Sequence, residues 1–110
     1  MSSIDVDDLG AKMLEAARGV LTAKWTKARP YVESETKIFA ERLASIARLR
    51  AAGSISEQRA KDLVAFQEEA FETVLLAVEG LTQLAIEEAL NAALKAVRDT
   101  VNTAIGFALL

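Results

Sequence analysis

Carboxylates are the only side chains in this sequence that could serve as metal ligands or as a general acid and base. The sequence contains no cysteine and no histidine, which removes thiolate ligands, cysteine nucleophiles and the commonest general base. Serine–histidine triads and the zinc-protease motif are excluded for the same reason, and glycine-rich phosphate loops do not occur. With 16 acidic residues and no catalytic motif, the sequence predicts a protein that is not an enzyme.

Four glutamates are the candidates for a metal site. Glu69 and Glu72 are three residues apart and would share one face of a helix, with Glu68 beside them. In a hairpin whose turn lies near residues 54 and 55, Glu41 would stand at the height of Glu68. Carboxylates that face one another between helices hold iron or manganese, so this pattern resembles a ferritin-like bundle without its histidines. We favour the simpler interpretation of a solvated acidic face, which predicts neither a metal nor a cofactor.

A second cluster combines basic and aromatic residues between Lys24 and Tyr31. Clusters of this kind bind phosphates or lie at a membrane interface. Trp25, however, continues the apolar stripe of the first helix, and the cations suit the C-terminal end of that helix. The net charge of −3 provides no bulk attraction to nucleic acid, so no nucleic-acid partner is predicted. A membrane or granule surface ranks behind a protein partner.

The elements that position these residues are all predicted to be helices. Alanine and leucine are the commonest residues, whereas the chain has one proline and five glycines, too few turn-forming residues for an all-β domain. Apolar residues recur at helical spacing, and they predict one all-α domain covering residues 1–110. Its helices are expected at about residues 4–29, 31–52 and 57–108.

Each predicted boundary depends on a few residues. Ser2 or Ser3 is the predicted N-cap of the first helix, and Pro30 is expected to begin the second, because proline suits a first helical turn. Residues 53–56 predict a tight turn, with a glycine as C-cap and a serine as the next N-cap. The third helix would then fold back along the other two as a long antiparallel hairpin. A break at Gly80 would produce a four-helix arrangement instead.

The last third of the chain has more apolar surface than one neighbouring helix can cover. Apolar residues there step four and three along the helix, a spacing typical of a coiled coil or a left-handed four-helix bundle. An apolar flank that stays uncovered usually marks an interface. We therefore predict a homodimeric four-helix-type bundle or a larger helical oligomer. The predicted interface residues are Ile86, Leu90, Ala93, Leu94, Val97, Val101, Ala104, Ile105 and Ala108.

These observations favour a non-enzymatic self-association or adaptor function, whose partner is a second copy of the chain or another protein. Two alternatives stay open: the carboxylate-only metal bundle, and an amphipathic protein that coats a granule or membrane surface. The N-terminal sequence lacks the basic and apolar segments of a signal peptide. Glu79, Glu87 and Glu88 interrupt the richest apolar stretch. The sequence thus predicts a cytoplasmic protein without a transmembrane span.

Overall fold

The computed structural model of the protein describes residues 4–110, which form helices joined by short turns. No strand occurs in this part of the chain, so the all-α prediction is confirmed for it. The elements are α1 (Val6–Leu21), a 3₁₀ turn (Thr22–Lys24), α2 (Trp25–Ala51), α3 (Glu57–Leu76) and α4 (Gln83–Ile105).

Short polar side chains begin three of the helices. The side chains of Asp5, Ser56 and Thr82 each accept a hydrogen bond from the backbone N–H three residues further on, at 3.0 to 3.1 Å. Each of these bonds satisfies a backbone donor that the start of a helix leaves unpaired. The N-cap predicted at Ser2 or Ser3 lies outside the described residues, and Asp5 is the N-cap of α1.

The boundary between α1 and α2 was predicted at Pro30, and this prediction was wrong. The chain reverses at residues 22–24, and Pro30 lies inside α2. Proline there removes one backbone donor near the start of the helix, which α2 tolerates without ending. Thr22 has φ 39° and ψ −105°, a conformation that a β-branched residue rarely adopts. Lys27 and Arg29 therefore belong to the first turns of α2 and not to the end of α1.

The predicted helix 57–108 is two helices, so the single long helix was also wrong and the four-helix alternative is the one observed. Gly80, in the turn between α3 and α4, has φ +87°, which glycine adopts without a steric penalty. A Cβ atom at this position would lie 2.9 Å from Lys24 Nζ, so glycine also leaves room for that side chain. Thr82 then caps the new helix.

The turn predicted between α2 and α3 is confirmed. Gly53 has φ +70°, and its N–H donates to the carbonyl of Arg50 at 3.0 Å. The N–H of Ser54 donates to the carbonyl of Leu49 at 2.9 Å, which completes a Schellman motif. The guanidinium of Arg50 donates to the carbonyl of Ile55 at 2.8 Å and thereby ties the end of α2 to the turn.

The helices run up, down, up and down around one core. At one end, Lys24 and Gly80 bring the α1–α2 and α3–α4 turns together. At the other end, the Arg50 guanidinium lies 5.3 Å from the ring centroid of Phe107, just beyond α4. The described residues span 43 × 22 × 19 Å. The 27 residues of α2 alone account for about 40 Å at 1.5 Å per residue, so no long hairpin forms.

The core is filled by the chain itself. Between α2 and α3, the rings of Phe39 and Phe71 meet edge to face, with centroids 6.5 Å apart and an interplanar angle of 68°. The helices α1 and α4 form the most extensive helix contact, and Ala17 of α1 and Ala93 of α4 are fully buried. Small side chains such as these let two helix backbones approach closely. The helices α1 and α3 occupy opposite corners of the bundle.

Candidate interaction surface

The predicted interface residues of α4 lie mostly inside the single chain. Five of the nine are buried there: Ile86, Leu90, Ala93, Val97 and Val101. Because α1 packs along α4, the apolar flank expected to be uncovered is covered within the described chain. Leu94, Ala104 and Ile105 are half-buried, and Ala108 is exposed beyond the end of α4. For these four residues, contact with a second chain stays a prediction.

The four candidate metal-ligating glutamates do not come together as a group. In residues 4–110, no three or more carboxylates have the geometry of a cation site. Glu72 accepts a hydrogen bond at 2.8 Å from Nε2 of Gln83, which joins α3 to α4. Burial, together with repulsion from the Glu72 carboxylate, raises the pKa of Glu68. Glu41 and Glu69 are exposed. The arrangement is one of local pairs and solvated carboxylates.

The basic and aromatic cluster lies at the end of the bundle that holds the α1–α2 turn. Trp25 packs against the core, and the Arg18 guanidinium lies 6.0 Å from its ring centroid. Arg29 forms an ion pair with Glu33 one turn along α2. Trp25 thus has the packing role predicted for it, although it stands at the start of α2 instead of the end of α1.

Large apolar side chains remain exposed on three helices. Two of them, Leu76 and Leu84, flank the turn between α3 and α4 and are 57% and 65% exposed. Tyr31 and Ile38 on α2 are 41% and 43% exposed, and Phe66 on α3 is 65% exposed. Single exposed apolar residues are normal on protein surfaces, so their grouping is what matters.

Tyr31 and Ile38 lie on the same flank of α2, because seven residues are close to two helical turns. This flank is turned away from α1. A Cβ atom at Gly10 of α1 would lie 3.9 Å from both the Ala40 side chain and the Thr36 carbonyl, which places α1 on the other flank. The exposed apolar residues of α2 are therefore on its α3 side.

Phe66 lies on the flank of α3 that is turned away from α4. The α4 side of α3 is marked by Glu72, which bonds to Gln83. The contact between Phe39 and Phe71 aligns the middle of α2 with the C-terminal half of α3. The outward sides of α2 and α3 consequently form one continuous surface, which we call the α2–α3 face. Its residues are Lys27, Tyr31, Ser34, Ile38 and Arg42 of α2, and Arg59, Phe66, Ala70 and Thr73 of α3.

This face was not predicted from the sequence, although the sequence contains one signal for it. The buried residues of α3 follow steps of four and three through Ala60, Val64, Gln67, Phe71 and Leu75. Phe66 falls outside that stripe. A large aromatic residue outside the buried stripe of an amphipathic helix indicates a second apolar surface.

Glu35 on α2 is a buried carboxylate, with 8% of its surface exposed. Burial disfavours the charged form and raises the pKa of Glu35 above its ordinary value of 4.5. The folded chain therefore binds this proton more tightly than the unfolded chain does. The contribution of Glu35 to the stability of the fold therefore falls as the pH rises from the unfolded-state pKa of this group through its folded-state pKa. We expect Glu35→Gln to raise the free energy of unfolding at pH 7, and the gain to shrink as the pH falls.

Urea unfolding of the wild type and of Glu35→Gln measures this gain in the free energy of unfolding. The series of pH values runs from about 3 to 7, a range that spans the titration of an ordinary carboxyl group. Glu88→Gln, which changes an exposed carboxylate on α4, is the control and should alter stability by less than about 0.5 kcal/mol. A gain for Glu35→Gln that is equal at every pH would contradict the assigned role of burial.

No helix among the described residues combines the length and the apolar character needed to cross a membrane. Comparison with protein-family models, with curated proteins and with solved structures finds no match for this chain. What the chain does must therefore be inferred from its own surface chemistry.

Proposed function

We propose that this chain is a non-enzymatic helical protein that acts by self-association or as an adaptor. The observation that carries the proposal is the exposure of Phe66, Ile38 and Tyr31 on the outward sides of α2 and α3, outside a core that the chain already fills. Moving a side chain such as phenylalanine or isoleucine from water into an apolar contact contributes about 1.5–3 kcal/mol. Aromatic residues are enriched in protein interfaces relative to the rest of the surface.

One groove of the bundle has a composition that is poorly suited to binding a small molecule. It lies between α1 and α2, has a volume of about 320 Å³, and is lined by Val6 and Leu14. Three charged residues, Asp7, Glu33 and Lys37, also line it and are exposed. Small-molecule sites generally combine an apolar pocket with a few convergent polar groups. The exposed aromatic and aliphatic side chains therefore favour a protein partner over a small ligand.

The mass of the purified chain in solution tests the proposal. We expect light scattering coupled to size exclusion to show a mass that rises with concentration from the 11.9 kDa of one chain towards twice that value. A two-fold dimer is the simplest closed assembly that would produce this rise. A mass of one chain at every concentration from about 1 µM to 1 mM would contradict self-association.

A further inference from the structure

The chain reverses between α1 and α2 without any of the residues that usually form a turn. We infer that this reversal opens, so that α1 and α2 become one continuous helix and α1 packs onto α4 of a second copy of the chain. The inference rests on the self-association proposed above and names the segment that mediates it. In such an exchange, each copy supplies its α1 to the bundle of the other.

Backbone strain at Thr22 is one observation that supports the exchange. Among residues 4–110, Thr22 is the only residue other than glycine with a positive φ, at φ 39° and ψ −105°. These angles are close to those of the first central residue of a type II′ turn, a position that glycine fills because it has no Cβ atom. A β-branched residue held in this conformation destabilises the closed chain, and opening the reversal removes that strain.

The residues around Thr22 already have the backbone conformation of a helix. Leu21, Lys24 and Trp25 all have right-handed helical φ and ψ angles. The segment from Leu21 to Trp25 contains no glycine, proline, asparagine, aspartate or serine, the residue types that dominate turns. A change of backbone conformation confined to residues 22–24 would therefore join α1 and α2 into one helix about 70 Å long.

The apolar stripe of α1 continues into α2 in the register of a single helix. Its residues on the two sides of the reversal are Leu21, Trp25, Ala28 and Val32, all of which are buried or pack against the core. They are four, three and four residues apart, the spacing along one side of a continuous helix. The two bundles of an exchanged dimer lie end to end, so α1 and α2 of one chain must present their stripes on the same side. The observed register meets that requirement.

The site that would receive α1 is the one that it occupies within its own chain. The helices α1 and α4 form the most extensive helix contact, and Met13 of α1 and Ile86 of α4 have no exposed surface. Opening uncovers both apolar stripes, and a second copy opened in the same way covers them with the same contacts. The partner is therefore another copy of this chain. Substitutions in the α1–α4 contact weaken the closed chain and the exchanged dimer equally.

A disulfide between α1 and α2 reports which chain supplies α1. A Cβ atom at Gly10 would lie 3.9 Å from the Cβ atom of Ala40, and disulfides join Cβ atoms about 3.5–4.5 Å apart. The chain contains no cysteine, so the double variant Gly10→Cys, Ala40→Cys has this pair alone. The disulfide forms within one molecule in the closed chain. In an exchanged dimer the same contact joins two molecules, because positions 10 and 40 of one open chain are about 45 Å apart.

We expect the double variant to yield a covalent dimer on a non-reducing denaturing gel when it is refolded and oxidised at about 1 mM, and a monomer at about 1 µM. Gly10→Cys alone is the control and should yield no covalent dimer, because the two positions 10 lie in different bundles. A dimeric sample in which every disulfide lies within one chain would overturn the exchange while self-association stands. A wild-type chain that stays monomeric would overturn both proposals.

Thr22→Gly tests the reversal without added cysteines. Glycine adopts the conformation of Thr22 without strain and also destabilises a continuous helix, so both effects favour the closed chain. Each dimer contains two such positions, and we expect sedimentation equilibrium to show a dissociation constant at least about 30-fold higher than that of wild type. Thr26→Gly is the matched control, because Thr26 is exposed and helical in both forms, and it should change the constant by less than about threefold. Equal constants for wild type and Thr22→Gly would overturn the exchange.

Discussion

We expect Phe71→Ala to lower the free energy of unfolding by about 3–5 kcal/mol, the cost of deleting a fully buried aromatic side chain. Phe71 has no exposed surface, and its ring meets that of Phe39 edge to face. Alanine would leave a cavity between α2 and α3 that the packed helices can close only in part. Domains of this size are stable by about 5–15 kcal/mol, so the variant should melt at a temperature lower by on the order of 15 °C.

Phe66→Ala is the matched control for this prediction, because it makes the same chemical change five residues earlier on α3. Phe66 is 65% exposed, and at a concentration where the chain is monomeric its loss should cost less than about 1 kcal/mol. Urea unfolding of both variants provides the comparison. Similar losses of unfolding free energy for the two variants would contradict an orientation of α3 in which Phe71 is buried and Phe66 is exposed.

The second large effect concerns α4. We expect Ile86→Ala to lower the free energy of unfolding by about 2–5 kcal/mol, because Ile86 has no exposed surface within the single chain. The loss should be the same at every protein concentration, since the contacts removed lie within one molecule. An intermolecular seam on α4 would instead make the loss grow with concentration.

Thermal or urea unfolding of wild type and Ile86→Ala at two protein concentrations about 100-fold apart measures whether the loss depends on concentration. Over that range the stability contributed by any association between chains would change by a few kcal/mol. Leu84→Ala, two residues earlier and 65% exposed, is the control and should cost less than about 1 kcal/mol. A loss for Ile86→Ala that appears only at the higher concentration would restore the seam of α4 as a contact between chains.

Local signals account for the parts of the fold that could be predicted. The Gly53 turn was predictable because the left-handed glycine and the Ser56 cap act over a few residues and need no distant partner. The apolar stripe of α1 was predictable for the same reason, and its Leu9 and Met13 are buried. The break before α4 had signals as well, because Gly80 followed by Thr82 pairs a turn residue with an N-cap.

The α2–α3 face could not be predicted from the sequence in the same way. Ile38 and Phe39 are adjacent, and both match the apolar period of α2, so periodicity does not distinguish the exposed residue from the buried one. The position of α1 decides between them, because α1 packs on the flank of α2 that carries Thr36 and Ala40. Tyr31 belongs to the basic and aromatic run, and its exposure on the outward side of α2 likewise depends on where α1 packs.

By itself, the sequence determined that this protein is helical, that a tight turn separates α2 from α3, and that α4 carries a broad apolar stripe. Those properties follow from backbone preferences and side-chain periodicity, which act over a few residues. Only the tertiary structure decided what covers that stripe. The chain reverses at Thr22, a residue that local preference would not choose, because the reversal buries the stripes of α1 and α4 against each other. That packing covers the predicted seam within the chain and leaves the α2–α3 face exposed.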